Sequence, residues 1–276
     1  MSEPLSDWLA RLEARHPRAI DLGLDRIREV HSRLGLAQPA PVVITVGGTN
    51  GKGSTVAFIE AIARAQGLCV GAYTSPHLLQ YNERIRIDGR DADDDAIVRA
   101  FEAIEAARGD TGLTYFEVGT LAALWLFEHA GLDLAILEVG LGGRLDATNV
   151  VDADVAVITT VDLDHTDWLG SDVETIGFEK AGIARAWKPL VLGDDDPPSS
   201  VLRHAYAIGA QAVRIGCDFF FDPDTVDGWR WREVGFEIDL PMPGLAAPSQ
   251  LRNAAVAIAA LRASSLAIGD SALREG

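Results

Sequence analysis

A short apolar run at residues 42–46 opens directly into Gly47-Gly48-Thr49-Asn50-Gly51-Lys52-Gly53-Ser54-Thr55. Strand, glycine-rich turn and helix in that order make a cradle for phosphate. Backbone N–H groups in such a turn point inward, and the helix N-terminus adds partial positive charge. Glycines let the main chain approach the phosphates, and Lys52 can reach the terminal ones. The spacing departs from G-x-x-x-x-G-K-[ST], because Val46 stands at the first glycine position and Gly53 separates Lys52 from Ser54. Gly48 to Ser54 therefore reads as a nucleotide-phosphate loop of an unusual form. A dinucleotide fingerprint is the other candidate, at Gly140-Leu141-Gly142, but Leu145 occupies its third glycine position. That argues against a Rossmann cofactor site.

Three further side chains have types suited to the same chemistry. A nucleotide brings Mg²⁺, a hard cation usually held by one or two carboxylates plus phosphates. Glu138 lies in the apolar run 134–139, at the carboxyl edge where open α/β sheets bind ligands. A carboxylate there is costly when buried without a partner, so a metal role suits it. His165 follows the run 155–160 by one short loop and can share that edge. Lys180 falls in a helix-period segment and, on pattern alone, faces solvent. Phe116 reads equally as a core aromatic and Asn253 as a cap or an exposed polar residue.

The elements that must position these groups alternate along the chain. Apolar runs at 42–46, 69–73, 134–139, 155–160, 190–192 and 212–215 are continuous rather than alternating, as in parallel strands covered on both faces. Helix-period segments lie between them at 54–65, 94–107, 117–129, 173–184 and 201–208. This pattern predicts an α/β fold with a mostly parallel, doubly wound sheet. After Cys217 the texture becomes short, aromatic and turn-bounded, at 219–221, 229–231 and 236–240, which predicts a small antiparallel appendage over 217–245. A last helix is expected over 250–264, and residues 270–276 read as a capped helix start that stops. The chain is therefore expected to be one phosphate-loop domain over 1–276, and a piece of a longer protein.

Composition sets the outer limits. With 276 residues, 48% of them hydrophobic, the chain can bury a sizeable core. Its net charge of −17 argues against a nucleic-acid surface, which needs clustered Lys and Arg. Cys69 and Cys217 show no metal-ligand spacing, and Cys69 in Leu68-Cys69-Val70 reads as a buried thiol. The first ten residues carry no signal pattern, and no apolar stretch is long enough to cross a bilayer. A soluble, cytoplasmic protein without a membrane partner is expected.

Several motifs in order resemble the bifunctional dihydrofolate synthase/folylpolyglutamate synthase family of the Mur-ligase superfamily. They are the loop Gly48–Ser54, then Thr74-Ser75-Pro76-His77-Leu78 with Asn82-Glu83-Arg84-Ile85, then Leu137 through Asn149, then Asp164-His165-Thr166, and Glu179-Lys180-Ala181-Gly182-Ile183. The resemblance implies that Ser75, Glu138, His165 and Lys180 serve two Mg²⁺ ions, with Lys180 as a carbamate. Carbamylation needs an uncharged amine, so a pKa lowered by burial would favour it. The resemblance also implies a pterin or folate pocket lined by Asp21-Leu22-Gly23-Leu24, Thr114-Tyr115-Phe116-Glu117 and Leu145-Asp146-Ala147, with Asn253 at the adenine. Aromatic and acidic groups suit a flat heterocycle carrying N–H donors.

The implied reaction joins L-glutamate to dihydropteroate, or to tetrahydrofolates, in two steps. A carboxylate attacks the γ-phosphorus of ATP, and the amine of glutamate then displaces phosphate from the acyl phosphate. Lys52, His165 and Lys180 are the implied catalytic groups, acting by charge and position. The resemblance further implies a C-terminal glutamate-binding domain, which is expected to lie outside these 276 residues. The chain alone is accordingly expected to bind ATP weakly and ligate poorly, and the whole enzyme to work as a monomer. A cell-wall Mur ligase, a kinase or GTPase, and an inactive ATP-binding module remain the alternatives.

Overall fold

The computed structural model describes residues 3–15, 21–225, 228–244 and 247–276. The main sheet grows from the apolar runs. Its strands are β1 (Val42–Gly47), β2 (Val70–Tyr73), β3 (Ile85–Ile87), β4 (Arg90–Asp91), β5 (Leu134–Glu138), β6 (Val155–Ile158), β7 (Pro189–Leu192) and β8 (Gln211–Arg214). Among the described residues they form one eight-stranded sheet in the order β4-β3-β2-β5-β1-β6-β7-β8. The run β2-β5-β1-β6-β7-β8 is parallel throughout. The pairings of β3 with β2 and with β4 are antiparallel.

Side chains alternate across this sheet, so one sequence feeds two cores. Val42, Ile44 and Val46 of β1 join an apolar cluster with α3 (Lys52–Ala65) and α9 (Pro248–Ala263). Val43 joins the opposite cluster. That cluster holds α1 (Leu5–Arg15), α2 (Asp25–Leu34), α4 (Asp94–Arg108) and α5 (Tyr115–Ala130). A third cluster, around Ile158 and Leu190, lies under α7 (Val173–Ala181) and α8 (Ser199–Ile208). Helices thus cover both faces, as continuous apolar strands require.

The element ends differ from the sequence expectation where a cap decides. α5 begins at Tyr115 because the Thr114 hydroxyl accepts from Glu117 N while the Glu117 carboxylate accepts from Thr114 N, a capping box. α7 stops at Ala181, short of the expected 184, and the chain leaves the helix at Gly182. α10 (Asp270–Glu275) forms, but its N-cap is Gly269, which offers no side-chain cap. Cys69 precedes β2 and is only partly buried, in contrast to the expected core thiol.

The appendage is a three-stranded antiparallel sheet in the order β11-β10-β9, made of β9 (Phe219–Thr225), β10 (Gly228–Glu233) and β11 (Phe236–Leu240). Residues 226, 227 and 245 of the expected appendage lie outside the described residues. Trp231 is fully buried against α9, where its indole N–H donates to the Ala255 carbonyl at 3.1 Å.

Candidate active site

The carboxyl ends of β1, β2, β5 and β6 meet at one edge of the sheet. β1 ends at Gly47, and the chain turns through Gly48–Gly51 into α3. Two of the loop's amides are already committed. Thr49 N donates to Thr160 O at 2.8 Å, and Asn50 N to Thr160 Oγ1 at 3.0 Å. The loop is thereby fastened to the segment after β6. Gly48 has φ 142°, and a Cβ there would stand 1.9 Å from Thr159 Oγ1, so glycine is required by the close approach. The amides left to face an anion are those of the first helical turn, beginning near Gly51, the α3 N-cap in the left-handed region. Lys52 Nζ donates to the carbonyls of Gly48 and Thr49, at 3.0 and 3.2 Å, which holds the ammonium over the loop.

Beside the loop lies a cavity of about 380 Å³, within the usual range for a small-molecule site. Its walls include Lys52, Ser75 and His165 from the expected phosphate and metal end. They also include Asp21, Leu22, Gly23, Thr114, Phe116, Glu117, Leu145, Asp146 and Ala147 from the expected pterin end. Two groups that sequence reading assigned to separate jobs therefore share one cavity. Leu24 does not face it, being buried in the core at the α2 N-cap. Tyr115 is also turned away, packing edge-on against Tyr81 with ring centroids 5.8 Å apart.

The pterin end is held in shape by charged and aromatic contacts. Arg26 pairs with Asp21 at 2.9 Å and lies 3.3 Å from Glu117, which ties two walls together. Asp146 is buried, and its carboxylate accepts from Leu141 N at 2.9 Å and from Thr148 N and Oγ1 at 3.0 and 2.7 Å. Burial raises its pKa despite those donors. Phe116 lies against Gly140, where a Cβ would approach the ring to 2.6 Å.

Glu138 is the last residue of β5 and is 4% exposed. Its Oε2 accepts from Ser75 N at 3.2 Å. Burial raises its pKa, and the Ser75 amide, Lys52, Arg86 and Arg84 oppose the rise. Such an under-compensated buried carboxylate suits a cation. Gly53 keeps the space before it open, since a Cβ there would stand 3.8 and 3.9 Å from the two carboxylate oxygens. No cluster of three or more His, Cys, Asp or Glu side chains able to hold a metal exists among the described residues. The donor set present fits Mg²⁺ in the sparse form, with nucleotide phosphates completing its shell.

Lys180 is 3% exposed, contrary to the solvent-facing reading of its helix pattern. Burial lowers its pKa to about 8, assisted by the nearby Lys52 charge and opposed by Asp164. The burial arises because α7 packs against the 140–146 loop. Arg144 N donates to Glu179 O at 2.8 Å, and the Arg144 guanidinium pairs with the Glu179 carboxylate at 2.8 Å. His165, the N-cap of α6 (Thr166–Leu169), adopts φ 48° and is half exposed, with Nε2 3.6 Å from Asp164. Asn253 lies on the other side of the loop, inside α9 rather than at a cap. Its side-chain oxygen is 2.5 Å from where a Gly51 Cβ would stand.

Arg84 also lines the cavity and was not assigned from sequence, although it falls within the Asn82–Ile85 motif. Arg26 was missed altogether, since an arginine on an amphipathic helix gives no local sign of its partners. The signal in both cases is an arginine near an acidic or aromatic motif, which is too common to single out.

The fold and this edge define a phosphate-loop α/β domain. The sequence matches the Mur ligase middle domain over residues 46–261, and the chain belongs to that family. It is similar to the dihydrofolate synthase/folylpolyglutamate synthase of Escherichia coli K12, with 51% identity over 276 residues, covering 100% of this chain and 64% of that protein. The chain thus spans less than two thirds of that relative's length. It also resembles E. coli FolC in complex with DHPP and ADP, with a TM-score of 0.95 and 51% identity over 99% of this chain and 65% of that one. A third similar structure is a bifunctional folylpolyglutamate synthase/dihydrofolate synthase with Mn, AMPPNP and L-glutamate bound, with a TM-score of 0.91 and 50% identity over 99% of this chain and 65% of that one. The longest helices fall short of the length and apolarity that would cross a membrane, among the described residues.

Proposed function

We propose that this chain is the ATP- and folate-binding part of a ligase that joins L-glutamate to dihydropteroate or to folates. The observation that carries the reading is the single cavity of about 380 Å³ shared by Lys52, Ser75 and His165 at one end and Phe116, Glu117 and Asp146 at the other. A substrate with a flat head and a carboxylate tail can lie along it with the tail toward the phosphates. The ligands of the similar structures, DHPP with ADP in one and AMPPNP, Mn and L-glutamate in another, support the same reading.

Mechanistically, the chain's own residues bind and orient. First-turn amides of α3 hold the phosphates, and Lys52 offsets charge on the transferring phosphoryl group. Glu138, Ser75, His165 and carbamylated Lys180 would hold two Mg²⁺ ions, which would supply further charge stabilisation. Phe116, Asp146 and Glu117 fix the heterocycle, while Asn253 meets the adenine side. The substrate carboxylate attacks the γ-phosphorus, ADP leaves, and the glutamate amine displaces phosphate to form the amide.

The 276-residue chain by itself is expected to bind ADP and dihydropteroate but to release little phosphate when L-glutamate is added. Calorimetric titration with dihydropteroate and with a UDP-muramoyl substrate separates this reading from a cell-wall ligase. Binding of the muramoyl compound alone would refute it, and robust ligation by the isolated chain would refute the need for further sequence. The carbamate has its own readout. With ¹³C-bicarbonate, the native chain should give a carbamate carbon resonance that Lys180→Arg lacks, because burial brings the amine's pKa to about 8. The same spectrum from both proteins would rule the carbamate out.

A further inference from the structure

Arg84 closes the single 3₁₀ turn Tyr81–Arg84 and lines the cavity together with Lys52, Ser75 and Phe116. Three contacts fix its direction. Its Nε donates to His77 Nδ1 at 2.8 Å. Its guanidinium lies over the rings of Tyr81 and Tyr115, at 5.5 and 5.7 Å. These contacts are neutral. Among the described residues no carboxylate forms a salt bridge with Arg84, although its charge is felt at the buried Glu138 carboxylate, whereas Arg26 is paired with Asp21 and Arg86 with Glu60 at 2.7 Å. A half-buried guanidinium without a salt-bridged carboxylate, steered by an imidazole and two phenols beside a ligand cavity, is prepared for an anion.

The cavity offers two cations to a ligand that carries two kinds of anion. Lys52 is held over the phosphate loop by the Gly48 and Thr49 carbonyls. That leaves Arg84, whose planar fork matches a carboxylate in two parallel hydrogen bonds. We propose that Arg84 binds the substrate carboxylate that ATP phosphorylates and keeps hold of the acyl phosphate formed from it. The proposal rests on the ligase reading above. In the step, a carboxylate oxygen forms a bond to the γ-phosphorus and the bond from that phosphorus to the β-bridging oxygen breaks. ADP departs with the electron pair. Arg84 stays protonated throughout and moves no proton, so its part is to align the nucleophile and to screen charge between the reacting anions.

The test compares two ligands on the 276-residue chain: dihydropteroate and its neutral carboxamide counterpart, each titrated calorimetrically. The native chain should prefer the carboxylate. Arg84→Gln should weaken dihydropteroate about 10- to 100-fold, the range of a charge-assisted hydrogen bond, and leave the carboxamide within about twofold. Arg84→Lys keeps the charge without the fork and should fall between. A merely structural role, through the Tyr81 and Tyr115 stack, would weaken both ligands alike, and that result would overturn the assignment while leaving the ligase reading intact. If the native chain binds neither ligand, the ligase reading and the Arg84 role fall together. A thermal melt of each variant identifies loss of fold, in which case Arg84→Lys carries the comparison.

Discussion

Gly53 is one atom short of touching the buried Glu138 carboxylate, the proposed metal ligand. A methyl group at that position would reach ordinary contact with Glu138, at 3.8 and 3.9 Å from its oxygens, and would meet no other obstacle. Gly53→Ala should therefore fold. It should gain up to about 1 kcal/mol from the better helix former in the first turn of α3. The same methyl would crowd the space through which the proposed cation reaches Glu138, so the gain in ADP affinity on adding Mg²⁺ should shrink at least about tenfold, or about 1.4 kcal/mol. Melting and ADP titration with and without Mg²⁺ read the two effects separately. An unchanged Mg²⁺ enhancement would remove Glu138 from the metal's surroundings. Gly48→Ala makes the contrast, because its Cβ would collide with Thr159 at 1.9 Å and should cost fold and binding together. At this scale the sequence was legible for positions that their neighbours in the chain set, such as Lys52 at the start of α3 and Glu138 at the carboxyl end of β5. It was not legible for Lys180, whose burial depends on Arg144 and Glu179 packing the 140–146 loop onto α7.

Elements were legible where one face pattern settled them. The apolar runs became the parallel strands, whereas Ile85-Arg86-Ile87 and Arg90-Asp91 were too short and too charged to stand out. β3 pairs with the edge that β2 offers and β4 pairs with β3, and Arg86 gains a buried partner in Glu60. α1 and α2 were likewise unassigned, yet they roof one face of the sheet. α1 is tied down by charge as well as by Trp8 and Leu12 in the core. Arg15 reaches Glu105 of α4 at 2.6 Å, and Arg108 grips the same carboxylate at 2.6 Å. Chiefly the Arg108 hydrogen bonds, then Arg15, lower the Glu105 pKa from 4.5 to about 2. A depressed carboxylate stabilises the fold above its unfolded pKa and loses that contribution as pH falls through the folded value. With about a third of the side chain exposed, screening limits the effect to about 1 kcal/mol. Glu105→Gln should thus lower Tm by about 2–4 °C at neutral pH. The difference should fade between pH 4.5 and about 2. A pH-independent difference would mean that the amide disturbs packing and that the ion pairs contribute little.

Across the whole molecule, the appendage and the phosphate loop share one apolar cluster. Trp231 of β10 belongs with Val46, which precedes the loop, and with Val56 and Ile59 of α3. Phe219 stacks on its ring at 6.1 Å, Arg262 lies over it at 5.6 Å, and the indole N–H ends on the Ala255 carbonyl of α9. α9 in turn presses Asn253 onto Gly51. A chain of contacts therefore runs from the small sheet to the loop without crossing solvent, so the appendage should not melt apart from the main sheet. Tryptophan fluorescence and far-ultraviolet dichroism should report one coincident transition. Trp231→Ala should move both by about 3–5 kcal/mol, because the cavity it leaves opens in a shared core. Saturating ADP should raise both midpoints together, as any ligand of the native state does. Separate transitions, with Trp231→Ala displacing only the fluorescence one, would show the appendage to be an independent unit and leave the loop's geometry to the main sheet alone.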